Sequence, residues 1–135
     1  MLVLAKLFRL FFNDSAMNKK FIQEQEQKLR LAAEKLEGQL KQLAQNSQEH
    51  KGEWETRMPA FSAGTGNLEE EADEVEEFST NLALSQNLEE DLENIKLALD
   101  KIKKGKYGLC EKCGKDIPEE RLEVYPQARY CTKCR

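Results

Sequence analysis

All four cysteines of the chain lie near its end, as two pairs: Cys110-Glu-Lys-Cys113, seventeen intervening residues, then Cys131-Thr-Lys-Cys134. Few patterns constrain a short chain more. Two residues between cysteines let both sulfurs of a pair turn toward one point, and two such pairs supply the tetrahedral thiolate shell of a structural Zn²⁺. With all four ligands coming from protein, no position is left for water or substrate, so the site is expected to hold structure and to do no catalysis. Gly114 follows the second cysteine, where a tight turn profits from positive φ. Lys112, Lys115 and Lys133 lie within or beside the pairs, where ammonium groups and backbone N–H groups would offset the double negative charge of a four-thiolate zinc. Two other readings compete. Paired disulfides belong to oxidising compartments, and no secretion signal points to one. A thioredoxin-like redox pair needs a βαβ context that neither C-x-x-C has.

The remainder cannot build a large core. Of 135 residues, 34% are charged and 39% hydrophobic, with only seven glycines and three prolines. Glu, Lys, Gln, Leu and Ala dominate the middle, the composition of long solvent-exposed helices. The net charge of −4 argues against a free-standing DNA reader, which is more often basic.

Residues 1–12 are strongly apolar but interrupted by Lys6 and Arg9. They suit neither a signal peptide nor a membrane span. An interfacial anchor is one reading. The favoured one makes residues 1–17 a non-native or disordered extension, produced by a start codon assigned upstream of Met17. Residues 18–50 read as one helix, with Ile22, Leu29, Ala32, Leu36, Leu40, Leu43 and Ser47 at steps of three and four and one longer gap at Gln25. Its end is expected near Lys51-Gly52. A second helix is expected over 68–104, with the stripe Val75, Phe78, Leu82, Leu88, Leu92, Ile95, Leu99 and Ile102 and a slip of one step near Ser85. Asn67 is its candidate N-cap. Each helix has one narrow apolar seam and needs a partner. An antiparallel hairpin over 18–104, with a tip loop at about 51–67, satisfies both within one monomer. An intermolecular coiled coil is the alternative.

The loop holds Trp54 and Phe61, read as folding back over the helix ends rather than anchoring a partner. Gly64-Thr65-Gly66 lacks the context of a phosphate loop. Of the nine residues 69–77, seven are acidic. Such a cluster is either a solvated helix start or a negative probe for a basic or metal-containing cavity, and nucleic acid would repel it. The last thirty or so residues, 105–135, are too few to fold without the metal, which contributes on the order of 10 kcal/mol in such units. The expected fold is therefore mainly α: a long antiparallel coiled-coil hairpin with a small C-terminal four-cysteine zinc-finger globule.

The run Ile102-x-x-Gly105-x-Tyr107-Gly108-x-Cys110-x-x-Cys113-Gly114-x-x-Ile117, continuing through Arg121-Leu122, Pro126, Ala128, Cys131 and Cys134, resembles the DksA/TraR C4-type zinc finger family. Glu76-Glu77-Phe78-Ser79 resembles that family's second helix. The likeness covers about half of the chain. It implies a cytoplasmic bacterial regulator of transcription that binds RNA polymerase rather than DNA or membrane. It also implies a hairpin that enters the secondary channel and places an acidic tip near the catalytic centre. The tip motif of the family falls on Asn67, Glu70 and Ala72, so Glu70, Ala72 and the neighbouring Asp73 are the candidate partner-binding residues. The family's first tip aspartate is absent, since Asn67 stands there. In one branch basic residues hold an alarmone nucleotide. The matching positions are Asn94 and Tyr125, which carry no cation, so that contact is not expected.

A second function class stays open: a zinc-stabilised stress or adaptor protein whose coiled coil meets another protein. A third is a redox-sensing zinc switch, because thiolates release zinc on oxidation. An enzyme is not expected. His50 is the only histidine, no serine or cysteine has a base at nucleophile spacing, and the paired glutamates sit on a charge-dense helix start rather than in a pocket.

Overall fold

The computed structural model describes residues 17–46, 53–57 and 68–135. Helix α1 spans Lys19–Leu43, strands β1 and β2 span Ala44–Asn46 and Trp54–Thr56, helix α2 spans Leu68–Lys103, and the short helix α3 spans Glu119–Val124. Asn18 caps α1, its Oδ1 accepting from Lys20 N–H at 3.1 Å. At 1.5 Å per residue α1 is roughly 38 Å long and α2 roughly 54 Å, so α2 outreaches its partner.

The core lies at one end of the helix pair. Leu29 from α1, and Ile95 and Ala98 from α2, pack with Tyr107, Cys110, Ile117, Leu122, Ala128 and Cys131 from the finger. Met17, Phe21 and Ile22, at the start of α1, cover the same cluster as Leu99 and Ile102, at the end of α2. The helices are therefore antiparallel, the arrangement that satisfies both seams within one chain. Met17 packs into this body, against Gly108. Residues 1–16, on which the expected N-terminal extension falls, lie outside the described residues.

Helix α1 stops earlier than its sequence suggests. Ala44 is extended (φ −138°, ψ 169°), and β1 pairs antiparallel with β2, Ala44 opposite Thr56 and Asn46 opposite Trp54. Residues 44–46 contain no helix breaker. The stop comes from across the chain: Arg57 donates from its backbone N–H to Leu43 O at 3.0 Å and from its guanidinium to Lys41 O at 3.0 Å. A cation on the last carbonyls of a helix satisfies orphan acceptors and matches the dipole. Trp54 is half-buried in β2. Phe61, His50, Asn67 and the Gly64-Thr65-Gly66 run lie outside the described residues.

The seam of α2 also differs from its apolar pattern. Val75 and Leu82 are 55% and 38% exposed, whereas Ser85 is 1% exposed. Phe78, Asn81, Ser85, Leu88, Leu92, Ile95, Leu99 and Ile102 are among the covered positions. These run in unbroken steps of three and four, so the rhythm does not slip. Polar side chains simply occupy two of its positions. In α1 the gap is filled the same way, by Gln25 at 1% exposed. Gln25 Oε1 and Ser85 Oγ are buried without a hydrogen-bond partner among the described residues.

At the far end of α2 the helix closes in a Schellman motif. Lys106 N–H reaches Lys101 O at 2.9 Å, Gly105 N–H reaches Ile102 O at 3.1 Å, and Gly105 sits at φ 68°. That left-handed conformation is why glycine stands there.

Candidate metal centre

Two turns carry the cysteines. In the first, Cys110 N–H donates to Lys115 O (2.8 Å) and Gly114 N–H to Cys110 O (2.9 Å), with Gly114 at φ 70°. Ile117 N–H closes the small hairpin on Gly108 O at 2.7 Å. In the second, Cys134 N–H donates to Cys131 O at 3.2 Å. A backbone bond from Glu111 N–H to Arg129 O (2.9 Å) ties the turns together. Gly108 (φ 83°) must also be small, because a Cβ there would collide with the Met17 side chain and meet Leu122.

The result brings Cys110, Cys113, Cys131 and Cys134 together, all four sulfurs within 4.8 Å of one another. Cys113 Sγ and Cys131 Sγ are 3.8 Å apart. This fits a metal: Zn–S bonds of about 2.3 Å in tetrahedral geometry put neighbouring sulfurs about 3.8 Å apart, whereas a disulfide needs about 2.05 Å. All four cysteines are free thiols. Four thiols in so small a space compete for protons. Burial pushes the Cys110 thiol up, but backbone N–H groups of Cys131, Cys113 and Lys112 outweigh it and hold it at about 6. The Lys133 backbone N–H helps to lower Cys131. Cys134 is pushed up to about 12, first by its hydrogen bond to Cys131 and then by that to Cys113. A divalent cation replaces those shared protons and lets all four ionise. The Lys112 and Lys133 side chains are exposed, and what these residues offer sulfur is their backbone N–H.

Around the centre, Tyr107 OH donates to Pro126 O at 2.8 Å, and burial pushes this phenol's pKa up. Arg121 Nε donates to Tyr130 O at 3.0 Å. A groove of about 690 Å³ separates α2 from the finger, lined by Glu90 and Asn94 on one side and by Arg121, Tyr125, Arg129 and Tyr130 on the other. Asn94 and Tyr125, singled out by the sequence resemblance, thus meet in one groove. Of the guanidinium groups there, Arg121 belongs to the run that carries the resemblance, whereas Arg129 was not singled out in the sequence. Glu70, Ala72 and Asp73 are exposed in the first turns of α2, at the opposite end of that helix from the metal centre. Among the described residues no helix is long and apolar enough to cross a membrane.

Fold and site together define a two-helix hairpin seated on a four-thiolate zinc finger. Residues 105–135 match the family described as the prokaryotic dksA/traR C4-type zinc finger. The chain is 58% identical over 38 residues to general stress protein 16O of Bacillus subtilis, covering 28% of this chain and 23% of that one. It is 34% identical over 64 residues to the RNA polymerase-binding transcription factor DksA of Buchnera aphidicola, covering 47% and 42%. It thus spans less than half the length of either relative. The structure of transcription factor DksA2 from Pseudomonas aeruginosa shares the fold, with a TM-score of 0.54 at 22% identity over 96% of this chain and 92% of that one.

Proposed function

We propose that this protein regulates transcription by binding RNA polymerase, its helical arm entering the secondary channel while the zinc finger rests on the rim. The observation that carries this reading is the arrangement of a long arm on a metal-stapled base with an acidic far end. The first turn of α2 contains Glu69, Glu70 and Glu71, followed by Asp73, a density of negative charge suited to a cavity lined by cations or metal and repelled by nucleic acid. Glu70, Ala72 and Asp73 would meet the polymerase, with 18–104 serving as the arm and 105–135 as the base. The DksA relative, described as polymerase-binding, supports the assignment. No chemistry is asked of the chain beyond contact, so the protein is read as a non-enzymatic, cytoplasmic factor. A pull-down with host polymerase tests it. Zinc-loaded protein should be retained, and Glu70→Ala combined with Ala72→Thr should weaken retention. No retention, or retention indifferent to the double substitution, overturns the reading.

Two observations favour a second reading, an adaptor that binds another protein. Val75, Leu82 and Leu84 are exposed along α2, and Asn67 replaces the family's first tip aspartate. A stable non-polymerase complex abolished by Val75→Ser and Leu82→Ser would favour it.

A further inference from the structure

We infer that Glu111 is the positioning residue that locks the zinc finger to the helical arm. Its carboxylate joins three segments. Oε1 accepts from Lys101 Nζ at 2.6 Å, reaching the last turns of α2. Oε1 and Oε2 accept from Arg129 Nε at 3.1 and 3.0 Å, and Oε2 also from Arg129 Nη2 at 2.8 Å. Glu111 stands between Cys110 and Cys113, and Arg129 stands two residues before Cys131. The metal that draws the two cysteine pairs together therefore also assembles the carboxylate with the guanidinium. The completed pair then takes the ammonium of the helix.

The arm needs such a lock. Its covalent connection to the finger passes through two glycines at positive φ, Gly105 and Gly108. The apolar contacts across the junction hold the parts together, but burial is non-directional and defines angle weakly. Within the finger, the planar guanidinium fork of Arg129 fixes the orientation of the Glu111 carboxylate, which presents Oε1 to the Lys101 ammonium of the arm. The Glu111 and Lys101 side chains are 28% and 22% exposed and Arg129 is 38% exposed, so water reaches the cluster without dissolving it. Exposed ion pairs contribute little to stability, and the lock is correspondingly expected to control orientation far more than zinc affinity. This inference holds whatever partner the arm meets.

Residual dipolar couplings on the full-length, zinc-loaded protein test it, with zinc content measured alongside. In the wild type one alignment frame should fit α1, α2 and the finger. In Glu111→Gln and in Lys101→Gln, each chain should retain its zinc and chelator competition should change by less than about fivefold. In both, finger and arm should no longer fit a single alignment frame, and the alignment of the finger should fall relative to that of the arm. One frame fitting both variants overturns the inference. Should Glu111→Gln lose its metal, Lys101→Gln decides, since it lies on the helix away from the cysteines: a loosened finger supports the lock and an unchanged one overturns it.

Discussion

The carboxyl of Glu111 is held down to about 2 from an ordinary 4.5, first by the hydrogen-bonded Arg129 guanidinium and then by the Lys101 ammonium. Because the folded value is depressed, the stabilisation it brings is present above pH 4.5 and is lost as pH falls toward 2. Side-chain carbon NMR of the zinc-loaded protein should find Glu111 ionised at pH 4.5, where an ordinary glutamate is half protonated. Half-titration at that pH would show that the fork is not formed. The sequence hinted at this group only by a glutamate inside a cysteine pair. Its two partners lie 10 and 18 residues away, beyond the reach of any local pattern. The cysteines are the opposite case, since their spacing alone was diagnostic.

Within the helices, periodicity located both elements but not which residues fill them. Val75 and Leu82 look like seam residues because they are apolar, yet they face solvent, while Gln25 and Ser85 are buried. A buried hydroxyl without a partner costs free energy that a methyl group does not. Ser85→Ala should therefore raise the stability of the zinc-loaded protein by roughly 1 kcal/mol in urea denaturation. A loss of stability would overturn this reading of Ser85. The polar seam positions weaken the pair locally, because their buried polar atoms lack partners among the described residues. The early end of α1 was hidden for a different reason: Arg57, 14 residues beyond Leu43, captures its last carbonyls, and sequence windows see only neighbours.

In the molecule as a whole the metal and the apolar core are one structure, because Cys110 and Cys131 are members of the cluster that contains Leu29, Ile95 and Leu122. Stripping zinc with a chelator should unfold the finger and uncover the base of the hairpin together. Amide exchange should then lose protection across 107–131 and at Leu29 and Ile95, with a zinc contribution on the order of 10 kcal/mol behind the change. Protection persisting across the finger after metal removal would show that the apolar cluster folds unaided.

The amino-acid sequence alone determined the zinc ligands, the two helices and the acidic start of the second, because each depends on spacing within a few residues and on side-chain chemistry that no context can change. Long-range packing determined the rest: where α1 stops, that Trp54 joins a strand, that Ser85 rather than Leu82 is buried, and that Glu111 bridges finger and arm. Each of these turns on which distant group offers a better partner than water, a comparison that exists only once the chain has folded.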